Sequence, residues 1–280
     1  MTRSLARNVA NTVAVVVAAV TVFPIYWMLL SALKPAGEIQ SAHPRPWTLH
    51  PTLEHFRRAL GVSGFARYFL NSTLVAAVVV IGSALVAFLA AVALTRFRFR
   101  LRTTVLVMFL VAQMVPIEAL TIPLFFMVRD IGRVVPGVGL NTLGSLMMVH
   151  LAFSLPFAIW MLRGFVAAVP EAVEEAAMID GASRFTVLWR IVFPLVAPGL
   201  AATSVFSFIT TWNDFVFAKT FIIGTEHQTL PAALLVFFKP DENDWGGIMA
   251  ASTLMTVPVL VFFVLVQRRL VSGLGGAVKD

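Results

Sequence analysis

The residues of this sequence that could take part in chemistry are acids set apart from other charges. Glu118 and Asp214 are each the single acid of a long apolar stretch, and Glu171, Glu174 and Glu175 cluster in a short polar segment. An isolated acid in apolar surroundings is costly unless it is paired. Such an acid serves either as a structural hydrogen-bond partner or as a group that lines or gates a polar pathway.

Other catalytic chemistry has few residues to carry it. The chain contains no cysteine, which excludes thiol nucleophiles and cysteine-based metal sites, and its five histidines show no metal-ligand spacing. No glycine-rich nucleotide-binding motif ending in Gly-Lys-Ser or Gly-Lys-Thr occurs. We therefore predict no catalytic residue, no metal site and no cofactor bound by this chain, and a function other than that of an enzyme.

The composition is typical of a membrane protein. Of 280 residues, 59% are hydrophobic and 12% are charged, against roughly 25% charged residues in a soluble domain. A helix that crosses a bilayer needs about 20 apolar residues. We predict an all-α integral membrane protein that forms one domain over residues 1–280, with six transmembrane helices at approximately 9–33, 69–95, 103–128, 141–163, 195–217 and 246–267.

Arginine placement predicts the orientation of these helices, because short basic loops stay in the cytoplasm. Arg96, Arg98, Arg100 and Arg102 alternate along the linker between the second and third helices. If this linker is cytoplasmic, both termini are cytoplasmic too, and two arginines directly after the last helix agree. Residues 34–67 also carry five basic residues, but that loop is longer and contains two acids. The net charge of +7 then reflects topology and contact with lipid, and no nucleic-acid partner is expected.

The polar insert, residues 169–194, lies between the fourth and fifth predicted helices. Pro170 and the acids after it suit the start of a short helix, and Gly181 suits its end. Ser183 can cap a second short helix that Pro194 ends. An amphipathic pair of this kind could float on lipid, but its glutamates would be repelled by the anionic cytoplasmic leaflet. Docking to a protein partner explains the acids better.

The order of residues in the insert resembles the EAA loop of permease subunits of bacterial ABC importers. Glu175-Ala176-Ala177 is followed by Asp180-Gly181-Ala182 and then by Ile191-x-Phe193-Pro194. The resemblance implies a cytoplasmic coupling element that docks into a separate ATPase subunit. The residues to which it assigns this coupling are Glu174, Glu175, Ala176, Ala177, Asp180, Gly181, Ala182, Ile191 and Pro194.

Further segments resemble the carbohydrate-importing branch of this family, the binding-protein-dependent sugar permeases similar to the maltose permease. They follow in order along most of the chain: Ser31–Pro35, Asn71-Ser72, Trp212–Phe215, Thr229–Pro231 and Gln267–Lys279. The resemblance implies a multi-pass subunit of the bacterial cytoplasmic, or inner, membrane that translocates a sugar.

The resemblance also implies the partners. Two ATPase subunits would bind ATP and magnesium, because this chain has no nucleotide-binding motif. A second homologous permease subunit would complete the pathway, membrane lipid would surround it, and an extracytoplasmic solute-binding protein would deliver the sugar. We expect residues 219–244 to form an external loop that reaches the binding protein, with Thr225 and Gln228 as candidate contacts.

The pathway residues and the solute are left open by the sequence. Glu118, Trp212, Asn213 and Asp214 are candidates for lining or gating the pathway, and either acid could instead be a structural hydrogen-bond partner. For Glu118 the functional and the structural interpretation are equally supported. For Asp214 we favour structure or gating over direct sugar binding, since it lies near the outer end of the fifth helix.

Two alternatives to sugar import exist. A permease of the same importer class could carry a polyol or a glycerol-phosphate type of solute. An ion-coupled secondary transporter would need a relay of acids in the membrane, for which only Glu118 and Asp214 are available. It would also leave the EAA-like insert without a role.

Overall fold

The computed structural model describes residues 2–240 and 243–275, and every regular element in that part of the chain is helical. The sequence prediction of an all-α protein is therefore confirmed. The part of the family resemblance that falls on residues 276–279 lies outside the described residues, and so do positions 241 and 242 of the predicted external loop.

The helices are numbered here in chain order. They are α1 Thr2–Leu33, α2 Ala36–Ile39, α3 Glu54–Gly61, α4 Phe65–Arg96, α5 Arg102–Gln113, α6 Thr121–Val134, α7 Leu143–Ala167, α8 Glu171–Ile179, α9 Arg184–Val187, α10 Phe193–Leu195, α11 Ala197–Trp212, α12 Val216–Phe221, α13 Leu230–Ala233 and α14 Trp245–Gly275. Short 3-10 helical turns cover Ile117–Leu120, Pro136–Val138 and Leu234–Phe237, and a π-helical turn covers Leu188–Val192.

Four of the described helices are long and apolar enough to cross a membrane: α4, α7, the part Arg7–Leu33 of α1 and the part Trp245–Leu270 of α14. Two further pairs meet this condition only when each pair is taken together. One is α5 with Ile117–Val134, bent by 92°, and the other is Arg184–Leu195 with α11, bent by 70°. The described chain thus has four candidate membrane helices, or six if each bent pair makes one crossing, so the six predicted spans match the upper count.

Both bends occur beside a proline. α5 ends at Gln113, and the backbone at Pro116 is extended, with φ −58° and ψ 124°. Val196 separates α10 from α11, whose second residue is Pro198. Proline cannot donate a backbone hydrogen bond and disfavours a helical residue before it. The predicted spans 103–128 and 195–217 are therefore each interrupted, and α11 ends at Trp212.

The described residues form two compact units. Unit 1 comprises the residues up to Ala66 together with Ala233–Pro258, and unit 2 comprises Arg67–Ala232 together with the residues from Val259 onward. α14 contributes its first part to unit 1 and the remainder to unit 2. The single domain predicted over the whole chain stays a prediction.

Unit 1 contains a hydrogen-bonded network around a buried histidine. Nε2 of His55 in α3 lies 2.8 Å from the carbonyl oxygen of Lys34, and Nδ1 lies 2.5 Å from Nη2 of Arg58. Because arginine can only donate, Nδ1 accepts and Nε2 carries the proton. Arg58 also donates to Asp244 over 3.1 Å, and Asp244 accepts the N–H of Gly247 over 2.9 Å. A neutral imidazole thus links α3 to the end of α1 and, through Arg58, to the first turn of α14.

Unit 2 contains two apolar cores that share α4 and α7. The first joins these helices to the segment leading into α11 and includes Phe88, Leu162 and Val196. The second joins them to α6 and α12 and includes Val79 and Val128. The first core lies toward the C-terminal ends of α4 and α7, and the second lies toward the N-terminal half of α7. α4 and α7 therefore support the polar insert at one end and α12 nearer the other.

A close approach between α7 and α11 leads to a prediction about stability. An added Cβ at Gly199 of α11 would lie 2.5 Å from the ring of Phe165 in α7. We expect Gly199→Ala to lower the free energy of unfolding by about 1–3 kcal/mol, because the ring must shift in a packed core. Thermal unfolding of the purified chain in detergent measures this loss.

Gly164 of α7 provides the matched control. Apart from its chain neighbours and the backbone of its own helix, no described atom lies within 4 Å of an added Cβ at this position. Gly164→Ala should therefore leave the melting temperature unchanged or raise it, since alanine favours a helix over glycine by about 0.8–1 kcal/mol. Equal melting temperatures for the two variants would contradict the packing of Phe165 on Gly199.

Candidate functional site

The polar insert forms two short helices joined by a glycine in a left-handed conformation. Gly181 has φ +90°. Its N–H donates to the carbonyl of Met178 over 3.1 Å, and the N–H of Ala182 donates to the carbonyl of Ala177 over 2.9 Å. This pair of hydrogen bonds is the Schellman arrangement that ends a helix, and it favours glycine because a Cβ is strained at positive φ. The angle between α8 and α9 is thereby set locally.

The second half of the insert begins with a cap and continues into the core. Oγ of Ser183 accepts the N–H of Thr186 over 3.2 Å at the start of α9. Further along, the ring of Trp189 lies 5.6 Å from that of Phe88 in α4 and 5.2 Å from that of Phe193. This half of the insert therefore belongs to the apolar core that joins α4, α7 and α11.

An arginine at the end of α4 holds the first half of the insert. Arg96 donates from Nε and Nη2 to Oε1 of Glu174, over 2.9 and 2.6 Å. Nη2 also donates to the carbonyls of Val166 and Val169, over 3.1 and 2.8 Å, and Nη1 lies 3.7 Å from Glu171. Hydrogen bonds between ionised groups are shorter and stronger than neutral ones. The sequence marks Arg96 only as a topological signal, because nothing in its own segment indicates a contact with α8.

The predicted coupling residues divide into two groups by exposure. Four are partly buried against the rest of the chain: Glu174, Ala177, Ala182 and Ile191. Five are exposed: Glu175, Ala176, Asp180, Gly181 and Pro194. Two large apolar residues beside the exposed group, Ile179 and Phe185, are 86% and 72% exposed. Large apolar side chains exposed beside acids are typical of a surface that another protein covers.

A second candidate site is a cavity in unit 2 beside α5, α6, α7 and α11. Its volume is about 850 Å³, and its lining is largely apolar, with Glu118, His150, Asn213 and Asp214 among the polar residues. Three of the four predicted pathway residues thus line one cavity. The fourth, Trp212, is buried in the core, where its ring stacks on another aromatic ring 5.4 Å away.

Asp214 caps the start of α12. Its Oδ1 and Oδ2 accept the N–H groups of Phe217 and Ala218, over 3.2 and 3.0 Å, and Oδ2 lies 3.4 Å from Nε2 of His150. Both side chains are nearly buried. A carboxylate that accepts from the first turn of a helix satisfies donors for which lipid offers no partner. Asp214 therefore has a structural role. Its neighbour His150 stands in no motif that would have singled it out in the sequence.

The segment after α12 is tied back to α4. Nδ2 of Asn71 donates to the carbonyl oxygens of Glu226 and Gln228, each over 2.9 Å. Of the two residues predicted to contact a binding protein, Thr225 is exposed beside these hydrogen bonds, whereas Gln228 is half-buried. Thr225 is therefore the more accessible of the two.

Comparison with known proteins identifies the family. Residues 83–275 match the family described as binding-protein-dependent transport system inner membrane component. The chain belongs to this family. One relative of the permease, the diacetylchitobiose uptake system permease protein DasC of Streptomyces coelicolor, is 42% identical over 281 residues that cover 100% of both chains. Another, the trehalose/maltose transport system permease protein MalG of Thermococcus litoralis, is 32% identical and covers 95% of this chain and 94% of the relative.

The permease also shares its fold with a solved transporter. A bacterial ABC transporter involved in the import of the acidic polysaccharide alginate covers 96% of this chain and 97% of its own, with a TM-score of 0.78 and 19% sequence identity. The predicted family, an ABC importer permease of the branch whose named members import sugars, is confirmed, as is its place in the inner membrane. Its relatives are transport components.

The cap on α12 leads to a prediction about local stability. We expect Asp214→Ala to destabilise α12 by about 0.5–2 kcal/mol, because the N–H groups of its first turn lose their acceptor. Asp214→Asn keeps a side-chain oxygen and should lose less. Lys219 is an exposed residue of α12, so the rate of tryptic cleavage after it reports local opening of the helix. If Asp214→Ala were cleaved at the same rate as the wild type, Asp214 would not act as a cap of α12.

Proposed function

We propose that the permease forms, with a second homologous permease subunit, the membrane pathway of an ABC importer for a carbohydrate. The solute class is supported by the names of relatives that cover the chain from end to end or nearly so: diacetylchitobiose for DasC, and trehalose and maltose for the MalG protein of Thermococcus. An extracytoplasmic binding protein delivers the solute, as the family description indicates.

We propose that the exposed face of α8 and α9 docks into an ATPase subunit. This role is supported by exposed acids that lie beside the exposed side chains of Ile179 and Phe185. The two helices that carry these residues have a relative angle set by Gly181. ATP and magnesium bind to the ATPase subunits. When these subunits close on ATP, they move the insert as a rigid body, and the helices packed on it switch the pathway between inward and outward access.

We propose that both termini, the insert and the arginine-rich linker are cytoplasmic, and that the chain crosses the membrane six times. The two bent pairs of helices then each make one crossing. The segment after α12 lies on the opposite face, where Thr225, and to a lesser extent the half-buried Gln228, contacts the binding protein. The hydrogen bonds from Asn71 support this role, because they hold the segment in a defined position.

The cavity beside Asp214 is proposed as the part of the pathway that this subunit lines. Glu118 and Asn213 offer hydrogen-bonding groups to a solute, and Asp214 positions α12 beside them. Since both carboxylate oxygens of Asp214 accept backbone N–H groups, this acid is poorly suited to a proton relay. This favours the ABC importer over an ion-coupled secondary transporter.

The proposed assembly is tested by purifying the tagged permease in mild detergent from its native host. An ATPase subunit and a second permease chain should copurify with it. If neither copurifies, and an ion gradient alone drives uptake, the secondary transporter would replace the importer.

Two substitutions in the insert should abolish coupling. Gly181→Val places a branched side chain at φ +90°, at a cost of roughly 1 kcal/mol or more, and so tilts α8 away from its docking position. Glu175→Lys reverses a charge whose loss costs about 2–5 kcal/mol if it is buried and paired in the docked complex. Uptake of radiolabelled sugar should fall sharply in both, while the amount of permease in the membrane stays normal.

Milder variants at the same positions serve as controls. Asparagine tolerates a left-handed conformation better than valine does, so Gly181→Asn should retain more uptake, and Glu175→Gln should fall between the wild type and Glu175→Lys. Normal uptake in both Gly181→Val and Glu175→Lys would remove the insert from the coupling mechanism.

The orientation is tested with single cysteines, which is direct because the chain has no native cysteine. A membrane-impermeant thiol reagent should label Thr225→Cys in cells with an accessible outer face, and a crosslinker at this cysteine should capture the binding protein. Arg98→Cys should react only after the membrane is permeabilised, because the arginine-rich linker resists translocation. Labelling of Arg98→Cys from outside, or capture of the ATPase by Thr225→Cys, would invert the proposed topology.

A further inference from the structure

We propose that Arg96 is a positioning residue that transmits the movement of the docked insert to α4 and α7. The inference rests on the proposed function, because it takes an ATPase subunit to dock on the exposed face of α8. It goes beyond that function by separating the residues that bind the ATPase from those that convey its motion.

Three elements meet at the guanidinium of Arg96. Arg96 is the last residue of α4, Val166 and Val169 lie at the end of α7 and just after it, and Glu174 lies on α8. Nη2 lies within hydrogen-bond distance of three acceptors, the carboxylate of Glu174 at 2.6 Å and the carbonyls of Val166 and Val169 at 3.1 and 2.8 Å, so one of its two N–H groups is shared between two of them. The planar, five-donor guanidinium makes such a junction possible, and a lysine ammonium lacks this fixed geometry. We call this junction the Arg96 clamp.

The Arg96 clamp differs from a solvated surface ion pair. The side chains of Arg96 and Glu174 are only 13% and 17% exposed, whereas exposed pairs contribute little because water screens them. Removing one member of a largely buried pair leaves the other charge uncompensated. The clamp should therefore hold α8 firmly against the ends of α4 and α7 while the importer cycles.

The docking face and the clamp use different sides of the same helix. Glu174 turns toward Arg96, and its neighbour Glu175 is exposed. Successive residues of an α-helix point about 100° apart, which separates the two side chains in direction. Substitution of Glu174 by a neutral residue should therefore leave the exposed docking face of α8 intact.

Without the clamp, α8 loses its hydrogen bonds to the ends of α4 and α7. It is then held by the turn after α7, the Gly181 turn before α9 and the packing of the small side chain of Ala177 against the core. A docked ATPase subunit could then tilt α8 without displacing the ends of α4 and α7. The half of the insert that includes Trp189 packs in the core and has no charged contact with Arg96 that the structure shows. The structure thus assigns to Arg96 the step between docking and pathway movement.

The first test compares clamp variants with a control in the complete importer, reconstituted in proteoliposomes with its ATPase subunits, second permease and binding protein. The clamp variants are Arg96→Gln, Glu174→Gln and the double variant. The control is Arg98→Gln, which removes an exposed arginine from the same linker. The measurements are the amount of ATPase subunit that copurifies, sugar uptake, and the stimulation of ATP hydrolysis by loaded binding protein.

We expect the clamp variants to retain the ATPase subunit and to lose uptake by about tenfold or more, since a buried charged contact is broken. Stimulation of ATP hydrolysis by the binding protein should fall with uptake, and Arg98→Gln should behave as the wild type. The double variant should be no worse than Arg96→Gln, because two members of one contact do not act additively.

A second test separates transmission from folding. Arg96→Cys and Glu174→Cys are combined in this cysteine-free chain and assembled with cysteine-free partner subunits. A short bifunctional thiol reagent, added after assembly, should restore uptake by joining α4 to α8 again. A monofunctional reagent of similar chemistry should leave uptake low. A residue needed only for folding would not be rescued after assembly.

Three results would overturn the inference: normal uptake in Arg96→Gln, loss of the ATPase subunit in parallel with uptake, or no recovery with the bifunctional reagent. The second of these would make Arg96 a support of the docking face only. Failure of the proposed function itself is distinguishable, because the wild type and Arg98→Gln would then also lack a bound ATPase subunit.

Discussion

Lipid offers no hydrogen bonds, so a polar group at membrane depth must find its partner within the protein. α4 and α7 meet this constraint as continuous helices. The two bent pairs interrupt their helices beside prolines. α11, the second helix of one pair, ends at Trp212 and is followed by α12, in whose first turn two N–H groups donate to Asp214. Asp214, which the sequence shows as an isolated acid in an apolar stretch, therefore stabilises the start of α12.

The same constraint explains why the insert has two faces. Its inner face must join the ends of membrane helices, which it does through an apolar core around Trp189 and Phe88 and through the contact of Arg96 with Glu174. Its outer face keeps acids, which the anionic surface of the membrane would repel, beside exposed apolar side chains. Three glutamates that appear equivalent in the sequence thus have different surroundings, since Glu174 is held inside the chain and Glu175 is not.

A shared fold does not decide the solute. Relatives with 42% and 32% identity carry the names of different saccharides, and an alginate transporter shares the fold at 19% identity. Function of this kind depends on the side chains placed on a common scaffold. In this permease the cavity beside Asp214 combines an apolar lining with a few polar groups, which is the general character of a small-molecule site.

The sequence by itself determined the helical membrane fold, the family and the local form of the insert. These features depend on short-range information: hydrophobicity drives each helix into the membrane, and Gly181 and Ser183 end one short helix and cap the next within a few residues. The sequence shows the proline at position 116, which favours a bend there, but it does not give the angle of the bend. Only the tertiary structure decided that Arg96 contacts Glu174, 78 residues away, that His150 lies beside Asp214, and that Trp212 packs in the core while its neighbours line a cavity. Such contacts join residues from separate helices, and their pairing depends on how the helices pack, which neither composition nor periodicity encodes.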